Sequence, residues 1–181
     1  MSSAEPGRLV PRAQLPLQAD SIAMRVAELG GHIGGEFPLS EPLMLVGVLR
    51  ASFMFIADLA REIDRPLEIE FVSARSYVAD KTTGTVRIDD AASQIEVSGK
   101  HVVLVDTMLD HGHTMTAVAA LFAKRDLRSL STCVLLRKPH SPHNIVSREF
   151  VGFDVPDKYV VGYGLDSNGG HRNQRYISAV E

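Results

Sequence analysis

One cysteine, no tryptophan and no apolar run near the roughly 18 to 20 residues of a bilayer span are what this 181-residue sequence does without. The lone Cys133 excludes an internal disulfide and fits a reducing compartment. Residues Met1 to Arg8 lack a basic flank followed by an apolar core, so no secretory signal is expected and the cytoplasm is the expected location. Charge of one sign is missing too. Nineteen basic residues face 22 acidic ones, for a net charge of -3. Such a balance offers no general attraction to nucleic acid or to a membrane, and neither is an expected partner. An anionic ligand must therefore be met by local donors. Two phosphate-binding signatures are absent as well, Gly-x-x-x-x-Gly-Lys-Ser/Thr and a Gly-x-Gly-x-x-Gly that follows a strand, which argues against a nucleoside triphosphatase or a dinucleotide dehydrogenase.

What is present is an ordinary globular composition, 45% apolar and 23% charged, in a length that suits one domain. Residues 1–18, with Pro6, Pro11 and Pro16, are expected to form a flexible arm before a single domain over 19–181. A helix is expected from Asp20 or Ser21, with Ile22, Val26, Leu29 and Ile33 on one face. Gly30, Gly31, Gly34 and Gly35 weaken its second half, and Pro38 ends it. Apolar runs then alternate with helical patterns: a strand at Leu43 to Leu49, a helix at Phe53 to Ile63, and a strand at Leu67 to Ser73. A polar loop and a hairpin pairing 85–89 with 94–97 follow. Next come a strand at His101 to Val105, a helix at Thr114 to Arg125 and a strand at Thr132 to Leu136. Strands joined by helical crossovers predict an α/β fold with a mostly parallel sheet and a ligand crevice at the strands' carboxyl ends. Segments near 150–155, 159–163 and 176–180 read as an accessory β region.

The most informative segment is Val102-Val-Leu-Val-Asp106-Thr-Met-Leu-Asp110-His-Gly112-His-Thr114. A strand runs into an acid, a second acid follows four residues later, and a glycine turn opens a helix. There the amides of His111, Gly112, His113 and Thr114 can converge on a phosphate at a helix amino terminus. Read from the residues alone, Asp110 and Thr114 suit a plain helix cap equally well.

This segment resembles the phosphoribosyl pyrophosphate loop of the type I purine phosphoribosyltransferases, and further stretches match the hypoxanthine-guanine branch in order. Val46-Gly-Val-Leu-Arg50-Ala-Ser resembles its pyrophosphate loop. Ser76-Tyr77 with Thr83-Gly84 resembles its mobile lid, about 74–97. Leu135-Leu-Arg-Lys138-Pro resembles its base-contacting strand end, and Lys158-Tyr159-Val through Asp166 and Arg172 resembles its base-capping hood, about 150–181. The resemblance implies the type I phosphoribosyltransferase fold, a central mostly parallel sheet flanked by helices with a small β hood. It also implies a magnesium-dependent transfer of ribose 5-phosphate from phosphoribosyl pyrophosphate to a 6-oxopurine, hypoxanthine or guanine, which yields a purine nucleoside monophosphate and pyrophosphate. A homodimer or homotetramer goes with it. A xanthine-preferring enzyme and a catalytically degenerate nucleotide-binding regulator are the alternatives.

By resemblance Asp110 is the acid or base at purine N7. Asp106 and Thr107 meet the ribose, and residues 111–114 meet the 5′-phosphate. Arg50, Ala51 and Arg172 bind pyrophosphate. Lys138 donates to the 6-oxo oxygen, Tyr159 stacks on the base, Val160 meets it through its backbone, and Asp166 with Asp106 serves magnesium. Ser76 and Tyr77 belong to the lid. A cis peptide is implied at Leu49-Arg50. Three stretches depart from the family pattern. Thr107 replaces a second acid, so Thr107→Asp is expected to improve catalytic efficiency. Arg50-Ala51 replaces lysine and glycine. His111 and His113 replace Thr, Ser or Glu and then Lys or Asn, and protonated His113 would add charge near the 5′-phosphate. The histidines at 101, 111, 113, 140 and 143 have no cysteine partner and no helical i, i+4 pair, a spacing that does not favour zinc.

Overall fold

The computed structural model describes residues 10–76 and 86–180. In chain order the elements are α1 (Ala19–Glu36), β1 (Leu43–Leu49), α2 (Phe53–Arg61), β2 (Glu68–Ser76), β3 (Val86–Ile88), β4 (His101–Leu109), α3 (His113–Phe122), β5 (Ser129–Arg137), β6 (Glu149–Asp154), β7 (Val160–Val161) and β8 (Ser178–Ala179). Six strands make one sheet in the order β3-β2-β1-β4-β5-β6. All neighbours are parallel except β3, which runs antiparallel to β2.

The unbroken apolar runs of β1 and β4 follow from burial on both faces of a parallel sheet, where successive side chains point opposite ways. Leu43, Leu45, Val103 and Val105 pack with the buried faces of α1 and α2. Met44, Val46, Val102 and Leu104 pack on the other side with Met115, Val118 and Phe122 of α3. Cys133, wholly buried among the first group, is a core residue, and burial pushes its thiol up from the ordinary range. Helix α1 runs through its glycines because Gly30 meets α2: a Cβ there would lie 2.5 Å from Glu62 Cβ and 2.7 Å from its carbonyl oxygen. The glycine that weakens the helix by propensity is the one that lets the two helices touch.

Four expectations are corrected. Residues 94–97 are not a strand. Asp89 accepts a hydrogen bond from the Ala91 N–H and starts a short 3₁₀ turn over Asp90–Gln94. Ala92, Ile95 and Val97 are buried in the α3-side core, so this half of the expected lid is part of the core wall. Strand β6 is no accessory piece but the sixth strand of the main sheet. Its crossover from β5 is the irregular, proline-containing loop 138–148, which gives no helical signal. The hood is correspondingly smaller, built on the antiparallel pair β7-β8. Finally, the described part of the expected arm is docked. The Ala13 N–H donates to the Asp154 carbonyl, Leu17 and Ile177 exchange two backbone hydrogen bonds, and Leu17 is buried.

Candidate active site

Strand β4 ends at Leu109, and the chain turns through Asp110, His111 and Gly112 into α3. Gly112 is the residue before the helix, with φ of 75°, a conformation that L side chains rarely adopt, and a Cβ there would collide with the Pro142 ring. No side chain caps α3, so its first-turn N–H groups remain available to a ligand. Residues Asp106 and Met108 to Met115 line a cavity of about 250 Å³ at this helix start. The simple cap reading of Asp110 and Thr114 is thereby set aside: Asp110 turns the other way.

Its carboxylate faces the β5–β6 loop. Oδ2 lies 3.0 Å from Lys138 Nζ, and Oδ1 lies 2.5 Å from His140 Nε2 and 3.0 Å from His111 Nδ1. Lys138 is 9% exposed and follows directly on β5, where its N–H donates to the Leu109 carbonyl. Its ammonium also reaches Asp157 at 3.1 Å. Partial burial opposes ionisation of Asp110, but His140 and Lys138 outweigh it and hold the carboxyl below its ordinary range. Lys138 shows the complement: burial alone would lower its pKa, and Asp110 and Asp157 raise it instead.

Asp106 sits four residues back on β4, beside Thr107. Burial pushes its carboxyl up to about 7, against the backbone N–H groups of Thr107 and Met108 that favour the anion. Thr107 is wholly buried, and its hydroxyl donates to the Ala51 carbonyl at 2.9 Å. The side chain thus serves the loop after β1, where the sequence reading expected it to meet the ribose. The Leu49-Arg50 peptide in that loop is cis. Arg50 is exposed, and Ala51 is pressed against Gly164, where a Cβ would overlap the Ala51 carbonyl oxygen.

In the hood, Tyr159 is 58% exposed and donates its hydroxyl to the Asp166 carbonyl at 2.8 Å, so its ring is a free face and not a core filler. Val160 is buried within β7. Asp166 Oδ1 pairs with Arg172 at 2.6 Å, while Oδ2 accepts from the Gly169 N–H. Arg172 also donates to the Gly164 carbonyl at 2.5 Å, a bond inside the hood. Ser76 is the last residue of β2, and Tyr77, Thr83 and Gly84 lie outside the described residues.

A family model for the phosphoribosyl transferase domain matches residues 17–168. The chain belongs to the phosphoribosyltransferase family. It is 40% identical over 167 residues to a hypoxanthine phosphoribosyltransferase of Haemophilus influenzae, covering 91% of this chain and 93% of that one. It is 36% identical over 171 residues to a hypoxanthine-guanine phosphoribosyltransferase of Mycobacterium bovis, covering 91% and 84%. The crystal structure of a hypoxanthine phosphoribosyltransferase from Staphylococcus aureus superposes with a TM-score of 0.82 at 32% identity, over 91% of this chain and 89% of that one.

Within this phosphoribosyltransferase domain two residues that the sequence reading gave no part in transfer stand beside Asp110 and Lys138. His140 and Asp157 both flank the Asp110–Lys138 pair, His140 Nδ1 standing 3.5 Å from Asp157 Oδ2. For His140 the signal was the irregular His140-Ser-Pro142-His loop after Lys138, and for Asp157 its place just before Lys158-Tyr159. Arg137, without a role from sequence, is structural: it grips both carboxylate oxygens of Asp154 across β5 and β6. His101 is structural too, stacked on Phe37 and bonded to Glu41 and Ser129 at the far end of β4.

Proposed function

We propose that this chain transfers the 5-phosphoribosyl group of phosphoribosyl pyrophosphate to hypoxanthine or guanine, releasing pyrophosphate and giving IMP or GMP. The observation that carries the reading is the Lys138 ammonium held 3.0 Å from Asp110 beside the open start of α3. One cation with three donors and one carboxylate stand together, a pair that matches the 6-oxo oxygen and the N7–H of a 6-oxopurine. The ribose 5′-phosphate takes the cavity at residues 110–114, where free helix-start N–H groups favour an anion.

The purine N9 lone pair forms the bond to C1′ as the C1′–O bond to pyrophosphate breaks, and Asp110 accepts the N7 proton. Lys138 prepares that step. When its ammonium turns from Asp110 to the 6-oxo oxygen, one of the cations that keep the carboxylate a weak base is withdrawn, and proton transfer becomes easier. Tyr159 offers its exposed ring to the base, and Arg50 with Arg172 receives pyrophosphate.

Magnesium suits the donors present. Asp106 and Asp166 supply hard carboxylate oxygens, and such an ion binds through one or two of these plus phosphates while keeping waters. When bound it would offset charge on the departing pyrophosphate. Asp166 is paired with Arg172 here, so its holding of the ion would go together with Arg172 turning to phosphate.

The regulator alternative drew on the altered acid pair, and that support weakens because the Thr107 hydroxyl is committed to Ala51. The test is direct: purified protein, phosphoribosyl pyrophosphate, magnesium and each of hypoxanthine, guanine and xanthine in turn. IMP or GMP formation that stops on chelation is expected. XMP alone, or no nucleotide from any base, rejects the reading.

A further inference from the structure

We infer that Asp110, His111 and His140 form a three-ligand site for zinc, and that zinc bound there shuts off transfer by taking the carboxylate oxygen that handles the base. The metal-binding half stands on geometry alone, whereas the inhibitory half rests on the function proposed above.

Among the described residues this is the one group of three or more His, Cys, Asp or Glu side chains placed to share an ion, with all donor atoms within 4.8 Å of one another. Tetrahedral zinc with bonds near 2.0 to 2.2 Å sets its donors roughly 3.3 Å apart. Asp110 Oδ1 already stands 3.0 Å from His111 Nδ1 and 2.5 Å from His140 Nε2, so the donors need only spread modestly around an ion. The two imidazole rings are adjacent, their centroids 4.5 Å apart and their planes tilted by 43°.

The surroundings are those of a ligand set and not of a chance surface contact. His140 keeps its second ring nitrogen 3.5 Å from Asp157 Oδ2, the outer carboxylate that orients a metal-binding imidazole. Lys138 holds the other oxygen of Asp110, which leaves Oδ1 to bind through a single bond. His111 is 68% exposed, so the fourth position opens to water. Two imidazoles and one carboxylate suit zinc and its neighbours in the first transition row, whereas magnesium avoids nitrogen. The sequence spacing pointed away from zinc because His140 comes from a different loop, 29 residues beyond His111 (140 − 111), and only the fold brings it to the α3 start.

Cobalt is the probe. The full chain, free of magnesium and phosphoribosyl pyrophosphate, is titrated with Co²⁺ and followed by the visible bands of tetrahedral cobalt; zinc is then added to bleach them. Saturable bands at one ion per chain are expected, lost in His111→Ala and His140→Ala and kept in His143→Ala. His140→Gln replaces the alanine variant if circular dichroism shows the latter unfolded. Absent bands, bands that survive both ligand variants, or bands lost equally in His143→Ala overturn the site. In a second arm, zinc at saturating magnesium should inhibit wild-type transfer, with half-inhibition shifted at least about tenfold in the His140 variant. Cobalt binding without any transferase activity would sink the proposed function and leave the metal site standing. Transfer that zinc does not inhibit would overturn the inhibitory half.

Discussion

The Thr107 hydroxyl donates to the Ala51 carbonyl across 2.9 Å, and so a residue at the phosphate-loop strand end fastens the loop on the neighbouring strand β1. An aspartate at 107 would put an anion against a carbonyl oxygen in a wholly buried position. Thr107→Asp should therefore lose stability, by about 3 kcal/mol on the scale of an uncompensated buried charge, and lower kcat/KM instead of raising it. Thr107→Ser keeps the donor and should stay near wild type. Denaturant titration with steady-state kinetics checks both, and a faster aspartate variant would contradict the burial argument.

Asp110→Asn retains shape and removes the proton acceptor. Its kcat should fall by about 10²-fold or more with little change in KM for phosphoribosyl pyrophosphate. Lys138→Gln should act differently, raising KM for the 6-oxopurine and narrowing the preference over 6-aminopurines. Equal effects of both variants on kcat alone would break the division of labour between the pair.

Asp106 gives a pH dependence of stability. Its carboxyl is raised from 3.8 to about 7 in the folded chain, so between these values the folded state holds a proton that the unfolded state has released. Its stabilising contribution is complete below the unfolded value and is lost as pH rises through the folded one. The full shift corresponds to roughly 4 kcal/mol, and partial exposure of the residue reduces this to about 2. Asp106→Asn should match wild type near pH 4 and exceed it by about 2 kcal/mol near pH 8 in denaturant unfolding of the ligand-free chain. An unchanged difference across that range would show that the carboxyl is not perturbed.

Gly112→Ala combines an unfavourable φ of 75° with a clash on the Pro142 ring. The loop must open or Pro142 must shift, and His140 and Lys138 move with it. KM for phosphoribosyl pyrophosphate should rise at least about tenfold, together with a stability loss of about 1 to 3 kcal/mol. Isothermal titration with a nucleoside monophosphate gives an independent reading of the same damage.

Gly30→Ala sets two rules against each other. Helix propensity favours alanine by about 1 kcal/mol, yet its Cβ would sit 2.7 Å from the backbone oxygen of Glu62. Backbone cannot rotate away as a side chain can, so the clash should win and the melting temperature should fall. Gly31→Ala, with nothing within 4 Å, should gain stability.

Local pattern was enough for much of this molecule. Continuous apolar runs announced β1 and β4 because both faces of a parallel sheet are buried. The acid, acid, glycine succession after Val105 announced a strand–turn–helix junction, because an apolar run that ends in acids and a glycine before a helical pattern suits such a junction. What depended on chain segments meeting in space was not local, and no periodicity encodes it. Strand β6 joined the sheet through a loop without helical signal. Thr107 spent its hydroxyl on a loop 56 positions away (107 − 51). His140 and Asp157 came to Asp110 from beyond β5. Side-chain orientation, and hence whether a hydroxyl faces ligand or core and whether two histidines share one carboxylate, follows from packing between elements. The residue types could be read in line, but their partners were chosen by the fold.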